Sequence, residues 1–182
     1  MFDFAIGHAL ANKNHEKSIQ LIGGVVEEMW ETGQHSAILR YGNLLPDELI
    51  KTNTEFCLYY SWILISAGQI QKAEPYLKSA ELTTKKSIQE SDSTNGKINY
   101  YKKLLGKISV AFAYLNSYEE HSEKIYDSCN TALENLSDED PFWYSWAWFS
   151  YGIAYFSNGD MIKSFDAFQK AFEYSKKTEN IY

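Results

Sequence analysis

One spacing of small and bulky side chains restricts this chain more than any other feature. From Trp148 to Ala171 it reads Trp148-x2-Tyr151-Gly152-x2-Tyr155-x3-Gly159-x4-Ser164-x3-Phe168-x2-Ala171. Gly152 and Ser164 are small, as two antiparallel helices require where they cross closely. Tyr155 and Phe168 are large and fill the space beside that crossing. Gly159 ends the first helix because it tolerates a positive φ, and Asp160 can cap the second. Such a helix–turn–helix unit cannot bury its apolar face alone, so it must stack on copies of itself.

The copies are present. One reads Cys57-x2-Tyr60-Ser61-x2-Leu64-x3-Gly68-x4-Ala73-x3-Leu77-x2-Ala80. A weaker one reads Ser109-x2-Phe112-Ala113-x2-Asn116-x3-Glu120-x4-Ile125-x3-Cys129-x2-Ala132. The faintest opens the chain: Phe2-x2-Ala5-Ile6-x2-Ala9-x3-Lys13-x4-Ser18-x3-Ile22-x2-Val25. This is the spacing of a tetratricopeptide repeat of about 34 residues. It predicts an all-α fold, a right-handed superhelix of tetratricopeptide-like hairpins, as one repeat domain over 1–182. The periodicity places helices at 2–12, 14–32, 34–44, 47–67, 69–90, 97–117, 119–136, 141–158 and 160–178. The fourth is expected to break near Lys51 to Asn53. Pro75 should kink the fifth one turn earlier, and the polar run Ser91 to Gly96 should form a flexible loop.

Composition narrows the function classes. Hydrophobic residues make up 45% of the 182 residues, enough for a core. The formal net charge is −7, and only the pairs Lys85-Lys86, Lys102-Lys103 and Lys176-Lys177 cluster positive charge. A surface that grips nucleic acid needs far more, so no direct nucleic-acid contact is expected. Phe142 to Phe156 comes nearest to a membrane span, but Ser145, Ser150 and Gly152 interrupt it. No signal peptide opens the chain, because Asp3 and His8 break its apolar start. Cys57 and Cys129 lie in apolar helical patterns and suggest no disulfide framework, which points to the cytoplasm.

Nothing in the pattern asks for catalysis. His8, His15, His35 and His121 lack zinc-ligand spacing. Asp138-Glu139-Asp140 reads as a favourable helix N-terminus, and no nucleophile motif is present. No catalytic residue, metal ligand or cofactor is therefore expected.

A further set of residues carries a family resemblance. Gly33, Leu39, Leu45-Pro46, Glu48, Trp62, Gly68, Ala73, Leu77 and Ala80-Glu81 occur in order, followed by Ala132-Leu133-Glu134-Asn135-Leu136, Asp140-Pro141, Gly152, Tyr155, Gly159-Asp160 and Ala171. With His8-Ala9-Leu10 near the start, this resembles the tetratricopeptide-like sensor region of MalT-like transcription regulators, the large ATP-dependent activators of the LuxR type. The sequence departs from that pattern at Thr54, where the family usually has proline, at Ser18 and Ser164, where alanine is commoner, and at Glu120, where glycine would end a helix. The resemblance implies a fragment of a larger regulator. Its partner would be a small-molecule inducer such as a saccharide, or another protein, with self-association as a further expectation. The phosphate-binding loop and basic recognition helix of such regulators have no counterpart here. A stand-alone adaptor that binds a peptide or partner protein is the rival reading.

In tetratricopeptide arrays the first helix of each repeat lines the concave face. By that template the candidate contact residues are Leu58, Trp62 and Ile65 in the second copy, Val110 and Tyr114 in the third, and Trp146, Phe149, Ile153 and Phe156 in the fourth. Aromatic rings on such a wall suit a sugar face or the apolar side chains of a peptide. The competing reading for rings at these spacings is repeat core.

Overall fold

The computed structural model describes residues 2–91, 96–118 and 122–178, with side chains from residue 4 onward. Among them are eleven α-helices and no strand. Helices adjacent in sequence pack as pairs, which is compatible with an α-solenoid. The chain divides into two compact units, 1–83 and 84–182.

The first unit holds α1 (Phe2–Ala11), α2 (His15–Gly23), α3 (Val26–Glu31), α4 (His35–Leu44), α5 (Asp47–Ile50), α6 (Thr54–Ser66) and the start of α7 (Ile70–Glu90). Its centre is α6, which packs against α2, α3 and α4. Every residue of α6 from Phe56 to Ile65 is buried. A helix apolar on all sides belongs in a core. At about 1.5–3 kcal/mol for each large apolar side chain fully buried, this helix outweighs any surface ion pair, worth about 0–1 kcal/mol. Small residues set how closely α7 approaches: Ser61 Oγ donates to the Ala73 carbonyl at 3.2 Å, and Tyr60 meets Tyr76 with ring centroids 5.4 Å apart.

The second unit holds the rest of α7, then α8 (Lys97–Ser117), α9 (Ser122–Asn135), α10 (Pro141–Ser157) and α11 (Met161–Ser175). Helix α10 lies on both α8 and α9 and pairs with α11. Ala113, Ile125, Cys129, Tyr151, Ala154 and Ala167 form a continuous buried cluster there. Ser164 Oγ donates to the Gly152 carbonyl at 2.9 Å. This is the crossing that Ser61 and Ala73 make in the first unit, with donor and acceptor helices exchanged.

Two of the nine expected helices are divided. The 14–32 segment splits after Gly23, because a glycine pair propagates a helix poorly. There the Asn53 side chain also comes within 2.7 Å of where a Gly23 Cβ would stand. The 47–67 segment breaks between Ile50 and Thr54, as expected, and Asn53 caps α6 by accepting from Phe56 N–H at 2.8 Å. Helix α7 runs unbroken through Pro75. Residues 92–95 of the expected loop, and Glu120 at the turn of the third copy, lie outside the described residues.

One turn recurs four times. Gly33, Gly68 and Gly159 have φ of 73°, 73° and 78°, and Lys13 has φ 54°. Each donates its N–H three residues back, and the next residue donates five back, as in Gly159→Phe156 at 3.0 Å and Asp160→Tyr155 at 2.9 Å. These are Schellman closures. Asn14 and Asp160 then cap the following helices by accepting from Lys17 and Lys163 N–H, both at 3.1 Å. Lys13 therefore stands in the left-handed conformation that glycine holds elsewhere, the column where the faint first copy placed it.

That equivalence predicts that the two exchanges affect stability unequally. Gly159→Ala should cost about 1 kcal/mol, because a Cβ meets the left-handed penalty. Lys13→Gly should leave stability unchanged or raise it by up to about 1 kcal/mol, since relief of that penalty is offset by the freedom glycine adds to the unfolded chain. Urea denaturation of the two variants measures both, and a clear loss in Lys13→Gly would refute the shared geometry.

Candidate functional site

The helix α10 is apolar on two faces, and the two faces meet different surroundings. One face, with Trp143, Ala147, Tyr151 and Ala154, is buried. Cys129 Sγ lies 3.4 Å from the Ala147 carbonyl, and Lys107 Nζ lies 5.8 Å from the Trp143 ring centroid, so this face is seated on α8 and α9. The opposite face carries Trp146, Phe149, Ile153 and Phe156 at helical spacing. Phe149 and Phe156 are exposed, and Trp146 and Ile153 are half-buried.

A groove of about 380 Å³ opens between that second face and α11. Trp146, Phe149, Phe168 and Phe172 supply its rings, and Ser145, Ala171 and Ser175 complete the lining. Ser145 Oγ donates to the Ala171 carbonyl at 2.9 Å, which draws the two helices together at the groove floor. Gly152 makes the approach of Phe168 possible: a Cβ there would lie 2.5 Å from Phe168 Cδ1. The rings form a row from α8 to α11, with centroids 4.8 Å apart for Tyr114–Trp146, 5.3 Å for Trp146–Phe149 and 5.5 Å for Phe149–Phe168. The Lys176 ammonium stands 4.1 Å from the Phe172 ring centroid and places positive charge at one end. Met161, Phe165 and Phe172 extend the apolar stripe along α11, each more than half exposed.

Of the nine residues the template assigned to an open wall, the structure brings Tyr114, Trp146 and Phe149 into this ring row, leaves Phe156 exposed on the same stripe of α10, and packs Ile153 against the buried cluster. The others present no surface. Leu58, Ile65 and Val110 are fully buried. Trp62 is buried with its ring edge-on to Trp30, centroids 6.5 Å apart. The template counts helix faces and not neighbours, so it could not register that α6 is packed by α2, α3 and α4. Phe172 was missed, and Phe168 was assigned to the core alone. The signal was available: Met161, Phe165, Phe168 and Phe172 make a helical stripe on an element already known to pack by another face.

The cysteines are buried, and several of the histidines and acidic residues have local partners. Burial pushes the Cys57 thiol up to about 12 and the Cys129 thiol upward too, so neither is a thiolate at neutral pH. His8 pairs with Asn12, and His35 Nε2 lies 3.2 Å from the Trp30 carbonyl; His121 lies outside the described residues. Asp140, before α10, pairs with Lys103. Among the described residues no three His, Cys, Asp or Glu side chains gather as a metal site would require, and no helix is long and apolar enough to cross a membrane. Compared with protein-family models, curated proteins and solved structures, the chain matches none.

Two outcomes follow. Gly152→Ala should destabilise by about 1–3 kcal/mol, because the new methyl must displace Phe168 into the groove. Gly7→Ala, with nothing within 4 Å, is the control and should be neutral or stabilising. Calorimetric unfolding compares them, and equal Tm values would remove Gly152 as the groove's spacer. Separately, Tyr59 and Tyr151 are pushed up by burial, Tyr151 to about 12. A raised folded value means their stabilisation is complete below the unfolded value of about 10 and lost as pH rises through the folded value. Phenolate absorbance should show these rings ionising only as the protein unfolds in alkali, and early ionisation of every tyrosine would contradict it.

Proposed function

We propose that this chain is a non-catalytic helical-repeat binding module, and that its contact surface is the aromatic groove between α10 and α11. The observation that carries this reading is an uncovered groove of about 380 Å³ walled by Trp146, Phe149, Phe168 and Phe172. That volume falls in the range of about 300–1,000 Å³ typical of ligand sites. Rings and two serines suit a sugar face or an apolar side chain, and Lys176 suits a ligand with negative charge at one end.

The sequence resemblance supplies the biological setting of the proposal. We read the chain as the sensor portion of a MalT-like, LuxR-type regulator, a right-handed superhelix of tetratricopeptide hairpins working in the cytoplasm. Its occupant would be an inducer such as a saccharide, or a partner protein. Ligand would act by preferring one of two states of the larger protein, since only differential affinity shifts such an equilibrium. The adaptor alternative draws support from the exposed stripe of Met161, Phe165 and Phe172, which extends beyond the cavity and suits a peptide helix.

Trp146 reports on occupancy. Of the five tryptophans, Trp30, Trp62 and Trp143 are buried and Trp146 alone lines the groove. Titration with oligosaccharides, and with extracts fractionated by size, should shift its fluorescence. Phe172→Ala should weaken that response about tenfold, and Trp146→Phe should abolish it. Binding that survives both substitutions unchanged would place the contact surface elsewhere.

A further inference from the structure

The groove is a copy of a seat that is already filled. Superposing the repeat spacings pairs Ser145, Trp146, Phe149, Phe168, Ala171, Phe172 and Ser175 with Gly106, Lys107, Val110, Cys129, Ala132, Leu133 and Leu136. The second set holds α10: Lys107 lies under Trp143, Cys129 Sγ reaches the Ala147 carbonyl, and Leu133 packs on the cluster containing Tyr151 and Ala154. Six of those seven residues are buried, and Leu133 is half-buried. One repeat later Ser145 and Ala171 are still buried, but Trp146 and Phe168 are only half-buried and Phe149, Phe172 and Ser175 are exposed, Phe149 to 38% and Phe172 to 59%. The occupant this geometry calls for is therefore a helix, bearing a ring one turn before small residues, as Trp143 precedes Ala147 and Ser150.

The chain carries such a helix with its outer face uncovered. In α1 only Asp3 and His8 are polar or charged. Ile6 and Ala9 are buried, and α1 packs on α2. On the other side Phe4 is 82% exposed, and Gly7 and Ala11 follow it, exposed, at helical spacing. A helix apolar on all sides is normally covered on all sides, and here one side of α1 has no cover. Gly7 has nothing within 4 Å of its would-be Cβ, so a partner backbone can approach it closely.

We propose that α1 of a second copy of this chain docks into the α10–α11 groove, its Phe4 ring over Trp146 and its Gly7 and Ala11 against Phe168 and Phe172. This rests on the groove being the binding surface and names its occupant. The contact joins two different patches, so it is heterologous and propagates head to tail into rings or open chains.

Sedimentation velocity of the purified chain over about 1–200 µM, a range suited to a single-helix contact, should show mass rising with concentration. Phe172→Glu on the groove and Gly7→Lys on α1 both alter exposed positions. Each should weaken association about tenfold or more, with circular dichroism unchanged. Each variant keeps the surface the other lacks, so an equimolar mixture should form a one-to-one dimer and nothing larger. A wild type monomeric throughout, association that survives either substitution, or a mixture that stays monomeric would each overturn the proposal. If a saccharide or foreign protein still shifts Trp146 fluorescence while the chain stays monomeric, the binding reading stands and the self-docking falls. If association behaves as described and no added ligand shifts Trp146, the groove serves self-association alone.

Discussion

Everything in this structure depends on how closely two paired helices can approach. The Gly152–Ser164 crossing in one unit and the Ser61–Ala73 crossing in the other solve that problem with the same means: a small residue on each helix and one hydroxyl bonded to the facing carbonyl. The hydroxyl costs nothing there because its donor is satisfied within the contact. Close approach pushes bulky neighbours outward. Phe168 lies across Gly152, and Tyr60 lies across Gly42, because no Cβ stands in the way. Pair geometry therefore determines where the rings go.

The turns act as the second constraint. Four left-handed residues close four helices in the same way, and the residue that follows begins the next helix within one step. So short a link keeps the two helices beside each other as a hairpin. That rigidity is what makes the α10–α11 groove a defined feature. Ser145 pins its floor, Gly152 positions one ring, and the ring row from Tyr114 to Phe168 braces one wall.

A groove between paired helices is a normal by-product of this architecture, and what matters is whether the next helix covers it. The α8–α9 groove is covered by α10. The α10–α11 groove shows the same positions with larger rings and greater exposure. That exposed apolar surface is what the proposed docking would cover. The aromatic rings thus fall into two groups, those buried in α6 and those that line the groove of α10 and α11.

The sequence by itself determined the helices apart from the split after Gly23, their pairing, and the turns at Lys13, Gly68 and Gly159. Small-to-large spacing and left-handed glycine positions are local, and local chemistry sets them; even Lys13 was placed in its column by spacing alone. It also determined that α10 carries a second apolar stripe, at Trp146, Phe149, Ile153 and Phe156. Tertiary structure decided which stripes are sealed. Leu58 and Ile65 have the same helical spacing as Phe149 and Phe156, yet they are core and the two phenylalanines are exposed, because α6 has neighbours around it where that stripe of α10 has none. Burial is a property of what packs against a helix, and no single helix's periodicity records how many neighbours it will have.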